Sequence, residues 1–179
     1  MTTLGIPQML KLVLDVQLTP QGVQAAALSF DAWEAAEPTR SHSLLLPLAE
    51  PPKPAERGPL RLQCVAQLLR ERQLAPGLIV IEGLVHLDAQ GTPGWGQQLA
   101  DALGGGVAVI AISKAAAKDW PAQFAVQRED EAAPVIVTCA GIDIGAAKAR
   151  VRAMHGKRRV PTLLKLAVRA AKAGATPAR

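Results

Sequence analysis

Two carboxylates stand out by the company they keep. Asp15 sits inside the apolar run Leu12-Val13-Leu14-Asp15-Val16, and Glu82 comes near the close of a second, Leu78-Ile79-Val80-Ile81-Glu82-Gly83. A charged side chain in such a run is costly unless something pairs with it. Two acid-bearing hydrophobic strands are also a common way to hold a divalent cation at the edge of a parallel sheet. Asp15 therefore has two readings. It is a metal ligand beside Glu82, or one end of an ion pair with Arg61 or Lys114 that neutralises it without metal. Asp143 is a third acid, placed either to cap the helix after it or to join the ligands. Phosphodiester hydrolysis by two cations about 4 Å apart takes three or four carboxylates; Asp15, Glu82 and Asp143 could hold one Mg²⁺. His42, His86 and His155 have no Cys or His at ligand spacing, which argues against zinc. The glycines from Gly91 to Gly96 lack the Lys-Ser/Thr of a P-loop and the downstream acid of a dinucleotide fingerprint.

The pattern of the chain says how these residues are positioned. Residues 9–18 read as a buried strand, and Gly22 to Phe30 as its hairpin partner across the turn Thr19-Pro20-Gln21-Gly22. Ser43 to Leu48 reads as a third strand, stopped by Pro47 and by Pro51-Pro52-Lys53-Pro54. The period then changes: Leu60, Cys64, Val65, Leu68 and Leu69 share a helical face, with Pro59 in its first turn. Leu78 to Ile81, Val107 to Ile112 and Val135 to Thr138 are continuous apolar strands, with a short strand near Phe124-Ala125-Val126. Helices are expected over 97–103, 143–154 and 162–172, the last opened by Pro161. An antiparallel three-strand meander followed by alternating helices and strands predicts an α/β, ribonuclease H-like mixed sheet. In that fold acids from separate strands meet at the strand ends.

Composition sets the outer bounds. With 49% apolar residues the chain has enough to fold around a core, and residues 1–174 read as one domain before a disordered basic tail at 175–179. The first nine residues lack a charged n-region and a long apolar core, so no targeting segment is expected. No apolar run nears the roughly 20 residues of a membrane span. The two cysteines, Cys64 and Cys139, lie in apolar segments and read as reduced thiols of a cytoplasmic monomer. The net charge of +5 hides an asymmetry: from Lys148 onward there are ten Lys/Arg and no acid, while residues 1–147 carry −5. A basic end on an acidic body is either a phosphate-contact surface, with Lys157, Arg158 and Arg159 at its centre, or a solvated tail.

Six segments, in order over roughly residues 10–172, resemble endonuclease V, in part its shorter bacterial branch. They are Asp15-Val16-Gln17-Leu18; Leu60-Arg61-Leu62-Gln63-Cys64; Ile79-Val80-Ile81-Glu82-Gly83; Pro93-Gly94-Trp95-Gly96 through Leu103-Gly104; Val109 to Lys114; and Met154-His155-Gly156 with Arg159-Val160-Pro161-Thr162-Leu163-Leu164-Lys165. The resemblance implies Mg²⁺-dependent cleavage of DNA or RNA near inosine. It implies metal at Asp15 and at Glu82, which stands where the family has a second Asp, and a scissile phosphate facing Lys114. It also implies that Gly94 and Trp95 receive a flipped base and that Lys53 lies in the loop that opens the duplex. The chain departs from the pattern elsewhere too. Arg61 stands where the family has a catalytic Glu, and a guanidinium repels Mg²⁺. Leu18 replaces a Tyr, and Pro51-Pro52-Lys53-Pro54 has no aromatic wedge. A catalytically inactive nucleic-acid-binding relative is the alternative that Arg61 raises.

Overall fold

A computed structural model of the protein describes residues 9–115 and 117–173; the tail expected at 175–179 lies outside them. Seven strands form one sheet in the order β3-β2-β1-β4-β5-β7-β6. Strands β1 (Lys11–Thr19), β2 (Gly22–Phe30) and β3 (Arg40–Pro47) make the meander. β4 (Leu78–Glu82) and β5 (Ala108–Ser113) run parallel to β1, and β7 (Val135–Ala140) and the two-residue β6 (Ala125–Val126) close the far side antiparallel. The order and directions match the ribonuclease H-like arrangement expected from the sequence.

Side-chain alternation assigns the two faces. Leu12, Leu14 and Val16 of β1 and Ile79 and Ile81 of β4 pack with α1 (Pro54–Glu71) and α2 (Trp95–Ala102). Val13, Leu78 and Val80 pack on the opposite face with α3 (Ile144–Ala153) and α4 (Thr162–Ala173). Because both faces are covered, the central strands are apolar without a break, which is why they read so clearly from sequence. β2 is buried along its whole length, and its Ala25-Ala26-Ala27 leaves room for α1 on one side and α4 on the other.

Several boundaries differ from the sequence reading. β3 starts at Arg40 rather than Ser43, because Thr39 N–H already donates to Ser29 O (2.7 Å) and Arg40 pairs with Ser29. α1 starts at Pro54, so Pro59 lies within the helix. Pro54 takes the first-turn position that favours proline, and Pro59 costs one backbone bond near an exposed end. α2 begins at Trp95, two residues early, with Gly94 as its N-cap.

On the far edge, Arg128 ties the strand layer to the α3–α4 turn. Its Nε donates to Arg158 O (3.1 Å), its Nη1 to Met154 O (3.2 Å) and to Val151 O, and its Nη2 to Met154 O (3.2 Å) and Gly156 O (2.9 Å). These carbonyls belong to the end of α3 and the turn after it, where no helical partner is available.

Gly96 lets α2 sit against the β4–α2 connection. A Cβ there would lie 2.8 Å from Val85 Cγ2 and 2.9 Å from Val85 Cα. Gly96→Ala is expected to destabilise the fold by about 1–3 kcal/mol, the usual cost of overpacking, measured by urea unfolding.

Candidate functional site

Register decides where the two acids go. Lys11, Val13 and Leu14 of β1 stand opposite Leu78, Val80 and Ile81 of β4. Carried one residue further, Asp15 meets Glu82. By alternation Asp15 shares the face of Val13, and Glu82 that of Val80. Neighbouring strands are roughly 4.8 Å apart, so the two carboxylates emerge side by side where β4 ends against the middle of β1, on the α4 side.

They open into a cleft of about 410 Å³. Its wall is drawn from every layer: Leu14–Gln17 and Ile81–Gly83 from the strands, Arg61 from α1, Trp95 from α2, and Val168 and Lys172 from α4. Asp15 is half-buried, and burial pushes its carboxyl above the usual carboxylate value. Gln17 Nε2, which donates to Asp15 Oδ2 at 2.6 Å, the Val16 backbone, Lys172 and Arg61 oppose that shift. Glu82 is exposed and also borders a shallower depression with Lys114, Lys165, Val168, Arg169 and Lys172.

Neither simple reading of Asp15 is realised in full. Among the described residues no Lys or Arg nitrogen lies within 4.0 Å of it, and the one such ion pair is Arg158–Glu129, at 2.8 Å. Nor do three metal-ligating side chains converge among the described residues. Asp143 in particular does not join the pair. Its Oδ2 accepts from Gly145 N (2.9 Å) and Ala146 N (3.2 Å) as the N-cap of α3, beside a different depression that holds His86, Asp88 and Cys139. Two carboxylates under the charge of Arg61 and Lys172 do not fit a two-metal centre, which needs three or four acids.

The other expected contact residues scatter. Arg158 is paired with Glu129, Arg159 Nη2 donates to Pro134 O (3.0 Å), and Lys157 lies beside Arg128–Asp130, away from the cleft. The contiguous basic run is thus spent largely on the turn before α4. Lys53 is the exposed N-cap residue of α1, and Leu18 lines a separate groove with Arg57 and Pro51-Pro52. Gly94 is buried against the Leu84 and Val85 carbonyls, which leaves Trp95 as the loop's side chain in the cleft. Asp88 organises its own loop, accepting from Thr92 Oγ1 at 2.6 Å. The free thiol of Cys64 is buried, and burial pushes it up to about 11; the free thiol of Cys139 is half-buried.

The sequence reading missed the basic side of α4. Lys165, Arg169 and Lys172 are exposed and spaced i, i+4, i+7, so they share one side of the helix, opposite the buried Leu164, Ala167 and Ala171. That spacing was visible in the chain, but its direction, toward Glu82 and Lys114, comes from how α4 crosses the sheet.

No family model matches the sequence, and no similar curated protein was found. The fold is nevertheless similar to solved endonuclease V structures. The Streptomyces avermitilis enzyme superposes with a TM-score of 0.71 at 20% identity, covering 92% of this chain and 81% of that one. A variant of Ciona intestinalis endonuclease V, in complex with a DNA containing an inosine followed by a ribo-adenosine, gives 0.66 at 15% identity, covering 89% and 82%. The catalytic domain of human endonuclease V gives 0.62 at 16% identity, covering 90% and 80%. The architecture is therefore that of endonuclease V.

Two consequences can be measured. Asp143→Ala removes a helix cap and is expected to cost about 1 kcal/mol in urea unfolding without altering the cleft. Asp15→Asn is expected to raise the melting temperature at pH 7. The folded state holds the Asp15 proton more tightly than the unfolded one, so this group's contribution falls as pH rises from its ordinary value through the raised one. The gain in the Asn variant should therefore shrink as the pH is lowered toward and below 3.8.

Proposed function

We propose that this protein is an endonuclease V-like nucleic-acid-binding protein that engages inosine-containing DNA or RNA at the strand-end cleft and whose hydrolytic centre is degraded. The observation that carries this reading is the balance of charge at that edge. Lys114, Lys165, Arg169 and Lys172 gather around Glu82, and Arg61 and Lys172 act on Asp15. Cations on one helix side and a strand end neutralise backbone phosphates and release counterions, which favours binding whatever the base sequence. The inosine preference comes from the Ciona complex, in which an enzyme of this fold holds DNA containing an inosine. Cys64 and Cys139, both free, agree with a reducing cytoplasmic location, and no helix among the described residues is long and apolar enough to cross a membrane. In this reading the protein works as a monomer.

A second reading, slow Mg²⁺-dependent hydrolysis through a single ion on Asp15 and Glu82, is favoured by the register that sets both acids on one face. In it Lys114 would neutralise the phosphate being cut. Mg²⁺ is often bound through one or two carboxylates completed by substrate phosphate.

One assay separates the two. An inosine-containing oligonucleotide is titrated at several salt concentrations and incubated with Mg²⁺ or Mn²⁺. Salt-dependent binding without cutting is the expected result. In Lys165→Gln/Arg169→Gln the slope of log K against log salt should flatten by roughly 1.4 on single strands, two contacts at about 0.7 each. Cutting that disappears in Asp15→Asn would establish the second reading. Absence of any salt-dependent binding would sink both.

A further inference from the structure

Two residues that line the cleft each carry a buried donor with no partner among the described residues. Arg61 Nε and Trp95 Nε1 are both buried atoms without a hydrogen bond, and both residues line the cavity that holds Asp15. Buried N–H groups are rarely left unpaired in a folded protein. Here two belong to residues that line one concave site from different helices, α1 and α2. Lys172 borders the same site from α4, exposed and outside any ion pair within 4.0 Å among the described residues. A guanidinium fork, an indole N–H and an ammonium group form a donor set without an acceptor of their own. The complementary ligand is an anion with several acceptor oxygens in tetrahedral arrangement, and arginine's planar fork suits phosphate oxygens in particular.

Resting on the nucleic-acid reading above, we infer that Arg61, Trp95 Nε1 and Lys172 form a metal-independent phosphodiester grip. Protein cations there do the work that a divalent ion does in a two-metal nuclease. Arg61 sits where a carboxylate would be needed for metal, so the substitution both removes a ligand and supplies the positive charge that the ligand would have recruited. Asp15 and Glu82 form the floor. Their negative charge keeps the grip from holding free anions tightly, and a bound phosphodiester is retained by the α4 cations alongside it. Nothing is cleaved in this step: no bond is formed or broken, and the site holds the backbone for recognition.

The test is fluorescence anisotropy with an inosine-containing single strand, in EDTA and in millimolar Mg²⁺, on the whole chain. Wild-type affinity is expected to be the same in both. Arg61→Gln and Trp95→Phe, which delete one donor each while keeping bulk, should each weaken binding in EDTA, by about tenfold for the charged donor. Arg61→Lys should recover part of that loss, since it restores charge but not the fork. Arg61→Glu should abolish binding in EDTA and make it Mg²⁺-dependent. Wild-type binding that needs Mg²⁺ would overturn the metal-independent grip while leaving the nucleic-acid reading standing. Unchanged affinity in both Arg61→Gln and Trp95→Phe would do the same, whereas failure of any oligonucleotide to bind with or without Mg²⁺ would remove the reading beneath it.

Discussion

The parallel pairing of β1 with β4 is the constraint on which the site depends. A strand has a side-chain period of two, so a slip of one residue would send Asp15 to the opposite face from Glu82 and bury it among Cys64 and Leu68. The continuous apolar character of both strands protects that register. Val13 and Val80 are packed under α4, and Leu14 and Ile81 under α1 and α2. Shifting either strand would exchange two well-filled layers at once. The acids thus inherit their adjacency from a core that has nothing to do with chemistry.

What surrounds the acids turns the site from one kind of chemistry toward another. In water a carboxylate is an ordinary object; half-buried on β1 beside Glu82, Asp15 demands positive charge. Part of it comes from helices on both sides of the sheet, Arg61 from one and Lys172 from the other, though burial still outweighs them. Neither closes to an ion pair within 4.0 Å among the described residues. Their charge therefore acts on Asp15 at a distance, without a direct ion pair to hold it.

Much of this was legible in the sequence, for a physical reason. Continuous apolar runs mark strands covered on both faces, so β1, β4, β5 and β7 were readable, and with them the meander and the alternating half. The adjacency of Asp15 and Glu82 followed from the expectation that acids meet at strand ends. Other features were not readable. Asp143 carried both a cap and a ligand reading, and only the bonds to Gly145 and Ala146 decide where its oxygen is used. The run Lys157-Arg158-Arg159 drew attention because its charges are contiguous, yet residues adjacent in a turn point in different directions, and two of the three are held by Glu129 and Pro134. The basic side of α4 is spread through an apolar helix, where the eye follows the leucines.

Arg128 gives the cleft a distant dependence. It has no atom in the site, yet its guanidinium splints the turn from which α4 departs, filling carbonyls on α3 and the turn with all five of its N–H groups. The pitch of α4 over the strand ends, and so the reach of Lys165, Arg169 and Lys172, is anchored at one end by a side chain from the sheet's outermost edge. Sequence drift in the short stretch around β6 can therefore move these three cations over the strand ends while every residue of the cleft stays the same.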